Sequence, residues 1–540
     1  MNKYDKQHIK DLQSIESRIE RIFNEAIKEA ARIGARIDEI DTDRLFSFSD
    51  YPSTKKEIDR LLDDLSANIE VAIVNAVESA WTLANNKNNE LCRMVFGDNV
   101  GKLSDSQYRR YFSTNEDALK AFTERKEKGL NLSDRVWRYT DAFKNEIELG
   151  LDVGIRSGMS AQDMARELKG WLKYPDMLFR RVRDEHGNLQ LSKRASLFHP
   201  GQGVYRSSYK NARRLAATET NIAYRTSDYE RWRDLDFVVG IRIVLSNNHT
   251  CLGRDGKPHK FEDICDRLSA EYGSTNTSGK GCYPKDFKFT GWHPHCRCHA
   301  ESILKTDEEI AEDNRRILEG EEPMDYKQSV KYVKDVPKEF EEWAKDNEDR
   351  MIKAYNNKSF PYFISDNPER LPKSIQKLIP NCDEIIRVNK NNDYYDTKFN
   401  IYTGSLKATH INHNFDPNKG WYERYVQEAG YKSNHAVVLE NEPQNIFKAR
   451  STEGVWDGKK FEIAAAETNL PNNIRNALKH CAKKPDCEIA VIFFPNNYFN
   501  DIFEDGLAKY NGLRGTSQYR KFDKIICVHN ERIVKEISQA

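Results

Sequence analysis

Five of the ten cysteines and five of the thirteen histidines fall between His249 and His299, under a tenth of this 540-residue chain. No other feature limits the fold as strongly. Cys251, Cys265, Cys282, Cys296 and Cys298 are interspersed with His249, His259, His293, His295 and His299, so the window reads as one cross-linked by disulfides or by an ion. The first residues, Met-Asn-Lys-Tyr-Asp-Lys-Gln-His, contain no apolar stretch of the signal-peptide kind. A disulfide framework is therefore the weaker explanation and a metal the stronger. In His293-Pro294-His295-Cys296-Arg297-Cys298-His299 the two thiols are two residues apart and meet one ion if the backbone turns sharply, which the proline favours. A closed zinc site takes four Cys or His ligands. Cys265 and Cys282 complete a four-thiolate set, with His293 as the substitute if one cysteine is uninvolved; thiols that only pack are the alternative. The stretch from Gly273 to Gly281 is too polar and glycine-rich to build a core, so a link between its two sides is useful.

Length implies about three to five folding units. The first third is helical. Ile9, Leu12, Ile15, Ile19, Ile22, Ala26 and Ala30 recur at three- and four-residue steps, as do Ile58, Leu61, Leu62, Leu65, Ile69, Ile73 and Val77 in a helix expected to start at Ser53 or Thr54. Alanines in both allow close antiparallel packing. Leu132 to Leu172 continues the pattern across a break at Gly158-Met159-Ser160, where Ser160 and Asp163 have capping-box spacing. Between Tyr174 and Gly203 the prolines and glycines mark an irregular crossing. A helix follows from about Ser207 to Trp232, then a strand from Phe237 to Leu245. Thr306 to Asn356 reads as a polar helix or tether broken by Pro323 and Pro337. Beyond about residue 380, strands are expected at Glu384–Val388, His435–Leu439, Lys459–Ala464, Glu488–Phe494 and Lys524–His529, with helices near Lys419–Ala429 and Asn472–Ala482. The resulting fold class is multidomain: a mostly α-helical N-terminal bundle (1–175), a small α+β zinc-binding domain (176–304), an acidic helical connector (305–370) and a C-terminal α/β domain (371–540).

Lys+Arg and Asp+Glu are both 85, which removes any global electrostatic case for a nucleic-acid coat. Contact with DNA would have to be local, and Lys173 to Arg214, with ten basic against three acidic residues, is the candidate; a solvated face is the plainer reading. No run of about 18 apolar residues suggests a membrane span.

The helix Arg214-Leu-Ala-Ala-Thr-Glu-Thr-Asn221, the strand after it, Asp263-Ile-Cys-Asp266, Gly281-Cys-Tyr-Pro284 and Thr290-Gly-Trp-His-Pro-His-Cys-Arg-Cys298 together resemble the phage Mu F-like minor head morphogenesis family, over about Ser207 to Leu304. The resemblance implies a low-copy virion protein of a tailed phage, in the head interior beside the portal and capsid proteins and near packaged DNA. It gives these residues no catalytic role.

In the last domain, Asp457-Gly-Lys-Lys-Phe-Glu462-Ile-Ala464 places two acids five residues apart on a strand, an arrangement expected to hold one divalent metal such as Mg²⁺. Lys460, Glu462 and Ala464 share a face and Phe461 and Ile463 the other. The pattern resembles the PD-(D/E)xK nuclease superfamily, and Asn414 to Glu423 with Asn472 to His480 resembles the tRNase domain of CdiA-type contact-dependent toxins. That resemblance implies tRNA as partner and substrate, with Glu423 as helix acid, Asp457 as central ligand and Glu462 as strand acid. Ala464 stands where a lysine is expected; Lys460, His480 or Arg475 are the substitutes. Three functions follow: a head protein carrying a tRNase-like effector, acting in the host cytoplasm after ejection; a purely structural virion protein with an inactive nuclease-like domain; or a cellular polymorphic toxin.

Overall fold

This computed structural model describes residues 2–37, 47–126, 129–156, 158–174, 182–183, 189–190, 207–247, 250–252, 257–260, 262–391, 393–415, 420–441 and 451–538. The chain forms two compact units, Met1–Glu341 and Glu342–Ala540, combining an N-terminal helical region with a C-terminal eight-stranded sheet. Among the described residues no helix is long and apolar enough to cross a membrane.

In the first unit the apolar stripes become α1 (Lys3–Gly34) and α2 (Pro52–Phe96). The second helix starts at Pro52, just before the expected Ser53 or Thr54, because proline's fixed φ suits the first helical position. The two run antiparallel: Tyr4 Oη donates to Glu90 at 2.6 Å at one end, and Arg36 pairs with Glu57 at the other. Gly158 breaks the next segment into α3 (Leu132–Arg156) and α4 (Ala161–Lys173), and Ser160 Oγ accepts from the Asp163 backbone N–H at 3.2 Å. The central helix is α5 (Ser208–Asp234), of which 20 of 27 residues are buried. It nevertheless carries charged groups, and a buried charge persists only when paired. Each has its partners: Glu219 takes Arg125 and Arg135, Asp228 takes Lys87 and Asn88, and Arg231 donates to the Tyr111 carbonyl at 2.5 Å and Asn89 Oδ1 at 2.9 Å.

After α5 the chain forms β1 (Val238–Val244), flanked antiparallel by β2 (Cys282–Tyr283) and β3 (His299–Leu304). The acidic stretch that follows does not behave as a free tether. Its helix α6 (Asp307–Leu318) is fixed by a buried Lys305–Asp313 ion pair at 2.6 Å, and Val333 N–H donates to the Val239 carbonyl at 3.1 Å, so residues up to there dock on the small sheet.

The second unit is a three-layer α/β/α arrangement. Glu384–Val388, expected as a strand, is instead helical within α7 (Cys382–Asn389). Ile385 and Val388 are buried three residues apart while Arg387 pairs with Glu384 at 2.7 Å on the exposed side; a run this short fits either periodicity, and packing decides it. Strands β4 (Tyr394–Asn400) and β5 (Ser405–His410) follow, then α8 (Trp421–Lys432), β6 (Ala436–Leu439), β7 (Gly454–Trp456), β8 (Lys459–Ala465), α9 (Pro471–Ala482), β9 (Ile489–Phe494), α10 (Asn500–Asn511), β10 (Lys524–His529) and β11 (Arg532–Ser538). The sheet order is β11-β10-β9-β8-β7-β6-β5-β4, parallel at β5/β6, β8/β9 and β9/β10. Along β9, Ile489, Val491 and Phe493 face α8 while Ala490, Ile492 and Phe494 face α9 and α10. Both faces are covered, which is why that strand reads as a continuous apolar run.

The crossing from Tyr174 to Gly203 and most of the basic run Lys173–Arg214 lie outside the described residues, apart from short pieces and the start of α5. His249 lies outside them as well.

Candidate metal centre

Two local structures converge beside β1. In the first, Asp263 caps the single helical turn Ile264–Leu268, its Oδ1 accepting from Cys265 N–H at 2.7 Å and Asp266 Oδ2 accepting from Asp263 N–H at 2.9 Å. This fixes Cys265. The second is the turn His293-Pro294-His295-Cys296, closed by Cys296 N–H donating to the His293 carbonyl at 3.0 Å. Proline second and a positive φ third, 63° at His295, are the type II pattern, and the turn brings the C-x-C pair back toward Cys265.

The thiols of Cys265, Cys296 and Cys298 all lie within 4.8 Å of one another, with Cys265 and Cys296 Sγ 3.9 Å apart. Tetrahedral zinc with bonds of about 2.3 Å separates its sulfurs by about 3.8 Å, so the cluster has the right size for one ion. His293 Nε2 is 3.1 Å from Cys265 Sγ. Its Nδ1 lies 2.7 Å from the Pro294 carbonyl; a carbonyl only accepts, so Nδ1 carries the proton and Nε2 presents its lone pair toward Cys265. Of the donors expected from sequence, His293 therefore lies beside one thiol of the cluster, grouped with Asp263 and Cys265. Cys282, expected in the set, is elsewhere: its pairing with Arg242 across β1/β2 turns it into the small-sheet core with Val239, Ile303 and Val333, where burial pushes its thiol up to about 11.

The helix α5 holds the turn in place. Buried Arg225 donates to the carbonyls of Thr290, Cys296 and Cys298 at 2.8, 2.7 and 2.6 Å and lies over the Phe289 ring. A Cβ on Gly291, whose φ is +120°, would stand 2.4 Å from Arg225 Nη1, so only glycine admits the guanidinium. Asn221 reaches the Cys296 carbonyl at 3.5 Å and His8 Nε2 at 2.9 Å, tying α1 to the same point. Electrostatics follow from crowding. Burial opposes ionisation of Cys296, but hydrogen bonds from Cys265 and Cys298 and the charge of Arg225 hold its thiol well below the ordinary range. Cys265 is raised by its hydrogen bonds to Cys296 and Cys298. At Cys298 a hydrogen bond with Cys265 lowers, while one with Cys296 and burial raise, and the thiol is pushed up to about 12. A divalent cation held among the three thiols would let all of them ionise. Arg225, Gly291 and Asp263, whose Oδ2 is 3.3 Å from His293 Nε2, were not singled out by spacing; the only sequence signal is Asp263-x-x-Asp266 as a cap. His295 and His299 turn to Glu16 and Glu301.

The acids of the second unit separate. Five residues along an extended strand span about 16 Å, so Asp457 and Glu462 cannot share one ion on β8. Asp457 occupies the β7/β8 turn with Gly458, both at positive φ, 48° and 81°. There it accepts from the Ala436 N–H at 2.8 Å and pairs with His435 at 2.6 Å. Glu462 is 1% exposed, with His480 Nε2 at 3.0 Å and Lys484 Nζ at 3.2 Å, so this acid and His480 do meet. Lys460 pairs outward with Asp486 at 2.9 Å, and Arg475 donates to Asn476. Glu423, on α8, meets His413 at 2.6 Å and gathers with His413 and Glu453, not with Asp457 or Glu462. No protein-family profile, curated protein or solved structure matches the chain.

Proposed function

We propose that this chain is a structural component of a tailed-phage head, a minor head protein, in which Zn²⁺ bound by Cys265, His293, Cys296 and Cys298 staples the small sheet to the helical bundle. One observation carries the reading. Two of the segments on which the resemblance to the Mu F-like family rests, more than seventy residues apart in sequence, meet through Asn221 and the Cys296 carbonyl, next to a cluster of three thiols with the His293 imidazole 3.1 Å from one of them, Cys265. Four Cys and His ligands closing on one ion would suit structure rather than catalysis. In this reading the portal and capsid proteins are its partners.

The proposal assigns no tRNA cleavage to Glu423, Asp457 and Glu462, because Asp457 serves the hairpin turn and Ala464 offers no proton or charge. Zinc is tested by elemental analysis of the purified full chain: about one ion per chain is expected, and less than about 0.3 defeats the metal reading. The head assignment is tested by probing purified particles from the source; a chain abundant in lysate and missing from particles defeats it. Total tRNA incubated with the full chain and Mg²⁺ should stay intact, whereas cleavage that Glu462→Gln abolishes would restore the enzyme reading.

A further inference from the structure

A second donor cluster lies in the C-terminal unit and has different chemistry. We infer that His413, Glu423 and Glu453 hold a divalent cation of the Mn²⁺ class. The three ligand atoms lie within 4.8 Å of one another, and they come from three stretches of chain: the segment after β5, the first turn of α8, and the residue just before β7. The set shares only Glu423 with the ligands expected from sequence.

The imidazole decides the case. His413 Nδ1 lies 2.8 Å from the Glu440 carbonyl, an acceptor, so Nδ1 carries a proton. Nε2 then faces Glu423 Oε2 at 2.6 Å and Glu453 Oε2 at 3.9 Å. Both are carboxylate oxygens. A neutral imidazole in this tautomer aims its lone pair at the same point as the two carboxylate oxygens. A divalent cation at that point would take all three as ligands. The side chain of His413 is 0% exposed and that of Glu423 is 9% exposed, so these donors converge away from bulk solvent. A backbone carbonyl on the outer imidazole nitrogen is the arrangement that orients histidine ligands toward metal. One imidazole and two carboxylates suit Mn²⁺, whereas the three thiols near Cys296 select zinc, so one probe separates the two sites. Bound there, the ion would clasp the segment after β5 and the start of β7 to α8.

The test is Mn²⁺ titration of the full chain followed by electron paramagnetic resonance, with zinc already supplied to the thiol site. One Mn²⁺ per chain is expected. Glu423→Gln and Glu453→Gln should each weaken binding at least about tenfold. Glu453 is the more exposed, at 16%, so its variant should keep the parent circular dichroism and report ligation rather than folding. No binding up to about 1 mM Mn²⁺, or equal binding by parent and both variants, overturns the site. Zinc content at the thiol site is read separately, so the two assignments fail independently.

Discussion

Replacing Arg225 with methionine tests how the thiol site is built. The guanidinium makes three hydrogen bonds of 2.6 to 2.8 Å to carbonyls, two of them belonging to Cys296 and Cys298. Bonds from a charged donor contribute about 1.5 to 3 kcal/mol each. Methionine keeps much of the volume, so the loss is mainly polar. The ligand loop borders solvent, with His293 35% and His295 30% exposed at their side chains, and water recovers part of the carbonyl bonding. A net loss of about 3 kcal/mol is the reasonable expectation. The chain has two compact units, so unfolding of the whole chain does not isolate this loop. Metal affinity is local: forming the site and forming the loop are one event, and 3 kcal/mol corresponds to about 100-fold in the zinc dissociation constant. Competition against a chromophoric chelator on the full chain measures it. Arg225→Lys keeps the charge and loses the planar fork, and should fall between, near tenfold. If Arg225→Met binds zinc within about threefold of the parent, the guanidinium does not organise the ligands and the reasoning is wrong.

Cys296→Ser should abolish zinc binding while Cys282→Ser leaves it unchanged, as elemental analysis of both variants will show; loss in Cys282→Ser would contradict its place in the small-sheet core. Among the described residues the hydrogen bonds to buried Glu146 come from Ser208, and burial pushes its carboxyl up to about 8. The unfolded chain gives up this proton near 4.5 and the folded chain only near 8, so stability is complete below 4.5 and declines as pH rises to 8; Glu146→Gln should remove that slope and add about 3 kcal/mol at pH 7. His8 has the opposite sign. Burial lowers its imidazole to about 4, so the unfolded chain binds the proton first and stability is lost as pH falls from 6.5 toward 4, by about 3 kcal/mol; denaturation of His8→Gln against pH should lack that loss. Gly454→Ala should disrupt the sheet, since a Cβ would stand 2.0 Å from the Val438 carbonyl oxygen, and loss of the far-ultraviolet β signal is the readout.

Several elements were legible without coordinates because one periodicity fitted them. The Ile and Leu stripes of α1 and α2 could serve only as helix faces, and the run in β9 is apolar at every position because both of its faces are covered. The C-x-C pair after Pro294 likewise announced a tight turn and a cluster of thiols that could hold a metal. Tertiary structure alone chose among the ligands. Cys282 carries the same thiol as Cys265, yet register across β1 turns one into a hydrophobic core while a capped turn points the other at Cys296. Asp457 and Glu462 look adjacent in sequence, but a hairpin puts them at different places along its length, and His413 and Glu453, forty residues apart in sequence, are brought to Glu423 instead. The physical reason is the same in each case. Spacing along a chain fixes which side chains can exist on one face of one element, whereas coordination and ion pairing depend on a few ångströms between elements, and that distance is set only when the elements pack.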